Sequence, residues 1–320
     1  MKLLHHRKVR MRDASRIAKE ILLEAEKRSI DQVWVVLESP CVFKVARILA
    51  AHKLPMVATV WDPPDGICRQ FGMDRYSRKI ATNNFDLAAS ACSRIGVISE
   101  PMAHDFQAKY PHSETAVMRF VPESLPKPVT RTAENSELTI AFAGSIYASQ
   151  EFQTLLSALD TVDWKIGERP VRVKVLGAKF RFVTSKPCCI EFLGYRSQAD
   201  VTQIMSQADC GYVPYWFADE YKASVALCFP SKLVTCVSAR TPVFFHGPKV
   251  SSPASFLNRY QIGTCCHSLD HNDIVSALER ISKLDRNAVA AECVRATSEE
   301  LNLENFRNRF RWLLTAETVN

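Results

Sequence analysis

The sequence has no apolar run that approaches the roughly 18 residues needed to cross a bilayer, so no transmembrane helix is expected. Residues 1–12, MKLLHHRKVRMR, are basic and lack the apolar segment of a signal peptide, which predicts a cytoplasmic protein. No C-x-x-C motif is present, although there are eleven cysteines, including the adjacent pairs Cys188-Cys189 and Cys265-Cys266. An odd number of cysteines, several in apolar runs, favours free core thiols over a disulfide framework or a zinc site.

Positive charge is concentrated at the N-terminus. The 320 residues include 41 Lys or Arg and 34 Asp or Glu, a net charge of +7. The first 30 residues hold nine of the basic and four of the acidic residues, which is +5 of that balance. Two interpretations remain open, a solvated helix face and a peripheral contact with anionic lipid headgroups. Nucleic-acid binding is not expected, because no recognised motif is present and the other charges are scattered.

Strand-like and helix-like patterns alternate along the whole chain. Residues 31–39, DQVWVVLES, predict a buried strand, residues 42–52 a helix and residues 55–62 the next strand. This alternation predicts an α/β fold with mostly parallel sheets. Residues 122–137 contain three prolines and few apolar side chains, so they are the predicted linker between two domains.

Three predicted strands in the second half end in glycine, at Gly144, Gly177 and Gly194. In open α/β sheets, ligands bind at the carboxyl edge, and glycine lets the backbone approach them. Residues 229–243, FPSKLVTCVSARTPV, predict a turn, a short helix with Ser231 as N-cap, and the start of a strand. The helix N-terminus with Lys232 beside it is suited to an anion. The alternative is an ordinary capped core helix.

These motifs, FAGS, VLG, FLGY and FPSKL followed by TPV, resemble in their order the GT-B glycosyltransferases, specifically the retaining group called family 4. The similarity extends from about Asp31 to the C-terminus. It implies two Rossmann-like domains facing across a cleft, with the acceptor on the N-terminal domain and a nucleotide diphosphate sugar on the C-terminal one. The expected boundaries are 1–127 and 128–300, with a helix in 301–320 crossing back to the first domain.

The resemblance implies a donor site built from three loops and one helix start. The residues carried over to that site are Gly144, Ser145, Gly177, Lys179, Gly194, Tyr195, Pro230, Ser231, Lys232, Leu233 and Thr235. No D-x-D motif is present, which argues against the metal-dependent GT-A fold, so no metal and no cofactor besides the sugar nucleotide is expected.

The sequence departs from the family at several positions. Two glutamates of the family have no counterpart, since Leu227 and Thr235 stand there, and Arg240 replaces a common glycine. The Thr235 hydroxyl is then the candidate ribose contact. Asp62, at the end of the predicted strand 55–62, and Glu220, in the loop WFADEYK, are the candidate catalytic carboxylates.

In the family, the N-terminal domain begins with opening strands and a Gly-rich loop. Nothing before the strand predicted over 31–39 corresponds to them, so the N-terminal domain is expected to be incomplete. A late start, a fragment or a reduced domain would each explain this, and marginal stability is expected.

Three functions follow. The first is transfer of a hexose from a nucleotide diphosphate sugar to a polysaccharide or lipid-linked acceptor. The second is a non-catalytic protein that binds a nucleotide or a partner transferase. The third, an epimerase of the same fold, would need acids and histidines in the cleft that the sequence does not place.

Overall fold

The computed structural model describes residues 2–121 and 136–315, with side chains described from Asp13 onward. The chain divides into two compact units, one of residues 1–119 and 306–320 and the other of residues 120–305. All but the last two residues of the predicted linker, 122–137, lie outside the described residues.

The first unit contains four strands and six helices among its described residues. They are α1 (Lys2–Lys27), β1 (Val33–Val36), α2 (Pro40–Ala51), β2 (Met56–Val60), α3 (Pro64–Gln70), α4 (Arg75–Ala89), β3 (Cys92–Val97), α5 (Glu100–Lys109), β4 (Glu114–Val117) and, from the end of the chain, a helix over Leu303–Leu314. The sheet is parallel throughout, in the order β1-β2-β3-β4.

Local sequence explains where these helices begin. Ser39 and Ser99 are N-caps whose hydroxyls accept hydrogen bonds from the backbone N–H of Val42 and Met102. Helix α3 begins at Pro64, directly after the N-cap Pro63, because proline is tolerated in the first turn of a helix. The central strand β2 is buried along its whole length, which fixes the sheet in the core of the unit.

The helix Leu303–Leu314 packs against this sheet. Leu313 is fully buried and joins Val57 and Met118 in one apolar cluster. The ring of Phe310 meets Trp34 edge-on at 4.9 Å between centroids. The end of the chain therefore supplies part of the core of the first unit.

The second unit has seven strands and seven complete helices among its described residues. They are β5 (Leu138–Ala143), α6 (Ser149–Thr161), β6 (Lys165–Ile166), β7 (Arg169–Leu176), β8 (Ile190–Gly194), α7 (Gln198–Gln207), β9 (Cys210–Pro214), α8 (Lys222–Leu227), α9 (Ser231–Ser238), β10 (Val243–His246), α10 (Ser252–Arg259), β11 (Gly263–Cys266), α11 (His271–Ser282) and α12 (Arg286–Glu299). The helix Leu303–Leu314 is accordingly α13.

The seven strands form one sheet in the order β11-β10-β9-β5-β7-β6, with β8 also paired to β7. All pairs are parallel except β6 with β7. The core lies between this sheet and helices such as α6 and α11, around Phe142, Phe152 and Leu278. The prediction of an α/β fold with mostly parallel sheets is confirmed. The short helix α8 and the hairpin strand β6 were not predicted.

Among the described residues, none of the helices combines the length and the apolar character that a membrane span requires.

Candidate functional site

The three glycines that end strands lie side by side at the carboxyl edge of the second sheet. Gly144 N–H donates to Leu176 O at 2.8 Å, and Gly177 N–H donates to Gly194 O at 3.0 Å. All three have positive φ, at 97°, 145° and 69° in chain order. A Cβ on Gly177 would lie 2.7 Å from the carbonyl oxygen of Gly144, so no side chain fits there. These positions form a bare backbone edge that a ligand can approach.

Helix α9 begins beside this edge without a side-chain cap. The N-cap is Pro230, in an extended conformation (φ −75°, ψ 132°), and no side chain accepts from the first-turn N–H groups. The prediction that Ser231 is the N-cap is wrong, because the fixed φ of proline suits the residue before the helix and Ser231 becomes the first helical residue. The N–H groups of this turn therefore keep the partial positive charge of a helix N-terminus.

Lys232 brings a formal positive charge to the same place. The side chain is buried, and a Cβ on Gly144 would lie 3.6 Å from its Nζ. The ammonium lies 4.1 Å from the ring centre of Tyr147 and 5.4 Å from that of Phe142. In the part of the chain that the structure describes, no carboxylate pairs with it. Burial lowers the pKa of Lys232 to about 8.

An aromatic loop after β9 supports Tyr147. Trp216 donates from Nε1 to Tyr147 O at 2.9 Å, and the two rings lie 4.7 Å apart. On its other side, Trp216 stacks on Tyr221 at 4.6 Å with 13° between the planes. The loop is anchored by the buried carboxylate of Glu151, whose Oε1 accepts from Phe217 N–H at 2.9 Å.

Glu151 was not among the residues selected from the sequence. Its Oε2 is buried and has no hydrogen-bond partner among the described residues. A signal in the sequence could have identified Glu151. It is an acidic residue in the first turn of α6, close to the apolar residues Phe152 and Leu155.

The other residues carried over from the resemblance are distributed around this edge. Ser145 and Lys179 are exposed, and the Lys179 ammonium lies 5.7 Å from the Phe192 ring centre. Tyr195 follows Gly194 and is 82% exposed. Leu233 and Pro230 are buried within α9 and its cap.

The hydroxyl of Thr235 donates to Ser231 O at 3.1 Å, within its own helix. Its proton is therefore already used, and only the acceptor capacity of the oxygen remains for a ligand.

The two carboxylates predicted to be catalytic lie in different units. Asp62 is half-buried just beyond the carboxyl end of β2 in the first unit. Glu220 is exposed in the 3-10 turn Asp219–Tyr221 of the second unit, and no described residue forms a hydrogen bond or ion pair with it. Among the described residues, no three His, Cys, Asp or Glu side chains cluster as metal ligands would.

Two α/β units with parallel sheets, the second with a cationic, glycine-lined edge, fit the GT-B fold expected from the sequence motifs. No protein-family model and no curated protein sequence matches the chain.

Similarity is found among solved structures. Sucrose-phosphate synthase from Thermosynechococcus elongatus is 12% identical with a TM-score of 0.69, over 94% of this chain and 78% of that one. An alpha,alpha-trehalose-phosphate synthase (UDP-forming) from Burkholderia xenovorans, in complex with glucose-6-phosphate, is 12% identical with a TM-score of 0.67, over 97% and 79%. S. aureus TarM, in complex with Fondaparinux, alpha-GlcNAc-glycerol and UDP, is 12% identical with a TM-score of 0.59, over 88% and 55%. The fold predicted from the sequence motifs is confirmed.

Proposed function

We propose that the chain is a glycosyltransferase that moves a hexose from a nucleotide diphosphate sugar to an acceptor, with retention of configuration. The observation that carries the proposal is the Lys232 ammonium beside Gly144, buried and without a carboxylate partner in the described part of the chain. A buried cation without a counter-ion is costly, and a bound diphosphate would remove that cost.

In this proposal the site stabilises the diphosphate leaving group. As the glycosidic bond to the donor breaks, negative charge develops on the diphosphate. Lys232 and the uncapped N–H groups of α9 are oriented in advance toward one edge, which is how electrostatic catalysis works without a nucleophile. The side chains of Tyr147 and Phe142 keep the ammonium partly out of water, so its charge acts in a medium of lower dielectric constant.

For the acceptor we propose a polysaccharide or a lipid-linked glycan. One similar structure is a complex with glucose-6-phosphate and another is a complex with Fondaparinux and alpha-GlcNAc-glycerol, which supports a sugar acceptor in general. Peripheral contact with an anionic membrane in the cytoplasm, through the basic N-terminal residues, is part of the proposal. Asp62 remains the proposed acceptor-side carboxylate and Glu220 the proposed donor-side one.

A second candidate is a protein that binds a nucleotide without turnover. It is favoured by Thr235, which stands where the resemblance implies a glutamate, because a hydroxyl is a weaker partner than a charged group. This candidate shares the nucleotide site and differs in the absence of transfer.

The test is thermal unfolding of the chain with UDP, GDP, ADP and dTDP, followed by a transfer assay with the sugar form of the nucleotide that binds. A ligand at 100 times its Kd stabilises by about 2.7 kcal/mol, or roughly 5–10 °C here. Lys232→Met should remove most of this shift, while the exposed Lys283→Met should retain it.

A shift with one nucleotide, together with sugar transfer, supports the enzyme. A shift with neither transfer nor donor hydrolysis supports the second candidate. An unchanged shift in K232M would overturn the assigned site.

A further inference from the structure

The eleven cysteines differ sharply in their surroundings. All eleven lie in the described residues and all are free, and seven of them are buried. Burial raises the pKa of several of these thiols, for example Cys68 and Cys265 to about 11, so they are poor nucleophiles. Cys188 is the one fully exposed cysteine, and its neighbour in the chain, Cys189, is half-buried.

Cys188 and Cys189 share a 3-10 turn, Pro187–Cys189, just before β8. The turn is closed by a hydrogen bond from Cys189 N–H to Lys186 O at 3.0 Å. The Cys188 thiol is close enough to that of Cys189 to contribute to its raised pKa, after the larger effect of burial. Adjacent positions in one short turn bring both thiols to the same surface region, with Cys188 exposed and Cys189 half-buried.

The other adjacent pair is arranged differently. Cys265 and Cys266 are successive residues of strand β11, and successive side chains of a strand point to opposite faces of the sheet. Cys266 enters the apolar core and its Sγ donates to Ser268 O at 3.4 Å. This pair cannot hold one atom between its sulfurs, which makes it a natural control.

Two cations lie beside the exposed pair. The Arg172 guanidinium donates from Nη1 to Cys188 O at 3.5 Å, and Lys186 directly precedes the turn. Both lower the pKa of Cys189, against the stronger effects of burial and of the Cys188 thiol. The net effect is a raised pKa of Cys189, and both cations are already paired with carboxylates, Arg172 with Glu137 and Lys186 with Asp163.

The spacing of the pair determines what it can bind. Cα atoms of adjacent residues are about 3.8 Å apart, below the roughly 4.4–6.8 Å of ordinary disulfides, so a direct S–S bond here would be strained. An additional atom bonded to both sulfurs relieves that constraint. Two thiolates are also too few ligands for a structural zinc site, and no described group of three or more ligands is present.

We propose that Cys188 and Cys189 form a dithiol site for a thiophilic trivalent metalloid such as an arsenic(III) compound. Soft thiolate ligands select soft centres. With an aryl arsenoxide, each sulfur forms one As–S bond and the As=O bond is lost. The arsenoxide oxygen leaves as water with the two thiol protons, and neither sulfur nor arsenic changes oxidation state.

The site is separate from the proposed nucleotide site. The cysteines lie before the first residue of β8, and Gly194 lies at its last, five residues along the strand. At about 3.3 Å per residue, the two ends are roughly 16 Å apart. The proposal therefore does not depend on the proposed function.

The experiment treats the folded chain with phenylarsine oxide and then washes it with a monothiol, 2-mercaptoethanol, which removes arsenic held by single cysteines. Intact mass should show one phenylarsenic group gained with loss of one water, and peptide mapping should place it on the Cys188–Cys189 peptide. A dithiol, 2,3-dimercaptopropanol, should then remove it.

The variants Cys188→Ser and Cys189→Ser should each lose the monothiol-resistant adduct, and Cys265→Ser should retain it. Both altered residues of the site lie outside the buried core, and far-ultraviolet circular dichroism checks that the variants fold. The proposal is overturned if the unaltered chain holds no resistant arsenic, or if either serine variant at the site still holds it.

Discussion

The ammonium of Lys232 lies against the face of Tyr147, 4.1 Å from the ring centre. The ring quadrupole compensates a cation only in part, by about 0.5–2 kcal/mol. Burial has the larger effect, because it lowers the pKa of Lys232 from 10.5 to about 8. The folded protein is therefore strained by a charge that a diphosphate would neutralise.

This strain predicts a stability effect with a definite sign. Below pH 8 Lys232 is protonated in both the folded and the unfolded state, so the folded state carries the full cost of burying the charge. Above pH 10.5 it is neutral in both and the cost disappears. Lys232→Met should therefore unfold with a free energy about 3 kcal/mol higher than the unaltered chain at pH 7, and the difference should shrink as the pH rises from 8 to 10.5.

Urea unfolding of both proteins across this pH range measures the difference directly. All other titrating groups are the same in the two proteins. Their contributions therefore cancel when the two unfolding free energies are subtracted. A difference that stays constant from pH 7 to 10.5 would show that Lys232 is not a buried charge.

Arg240 ends helix α9 in a left-handed conformation, with φ of 54°. Arg240 N–H donates to Val237 O and Thr241 N–H to Cys236 O, both at 3.0 Å, which is the Schellman pattern that usually has glycine at this position. Arg240→Gly should therefore be more stable than Arg240→Ala by about 1 kcal/mol, because only the alanine variant retains the cost of a Cβ at positive φ.

Comparing these two variants isolates the backbone effect, since both remove the guanidinium, whose Nε is buried without a hydrogen-bond partner among described atoms. Thermal unfolding gives the comparison. Equal melting temperatures for the two variants would mean that the helix end relaxes out of the left-handed region.

Glu151 anchors the aromatic loop through Phe217 N–H, so its removal should loosen the support of Tyr147. Glu151→Ala should destabilise the fold by about 1–3 kcal/mol, because it leaves a backbone donor without its acceptor. Glu151→Gln keeps an oxygen in the same place and should cost less than about 1 kcal/mol.

The emission of Trp216 reports the same event, since this ring contacts the tilted ring of Tyr147 and stacks on Tyr221. Its spectrum should shift to the red in E151A and not in E151Q. If both variants lose the same stability, the charge of Glu151 and not its hydrogen bond holds the loop.

Leu313 fills the contact between α13 and the first sheet, against Val57 and Met118. Leu313→Ala should destabilise the first unit by about 2–5 kcal/mol, the usual cost of a truncated buried leucine. The exposed Leu314→Ala, at the next position, should cost much less. Hydrogen exchange of the amides in β2 and β3 measures the effect, and equal exchange in the two variants would place the packing of α13 elsewhere.

The parts of this structure that were predictable from sequence are those set by local chemistry. Gly144, Gly177 and Gly194 were expected at strand ends because glycine tolerates the positive φ found there. The FPSKL turn predicted a helix, and α9 begins one residue before the expected start because the cap is Pro230.

The remaining features depend on residues that are distant in the chain. The burial of Lys232 under Tyr147 joins positions 85 apart, and the bond from Glu151 to Phe217 joins positions 66 apart. Neither leaves a periodic pattern in the sequence. Arg240 adopts a positive φ that an arginine does not favour by itself. Only tertiary packing holds it there, so residue propensity alone would not predict this conformation.

The membership of residues 306–320 in the first unit sets the order in which the protein can be completed during synthesis. Translation proceeds from the N-terminus, so the sheet residues Val57 and Met118 leave the ribosome long before Leu313, which covers them. The second unit has all its strands available while the first still exposes an apolar surface. Chaperones should therefore bind the first unit of the nascent chain until α13 emerges from the ribosome.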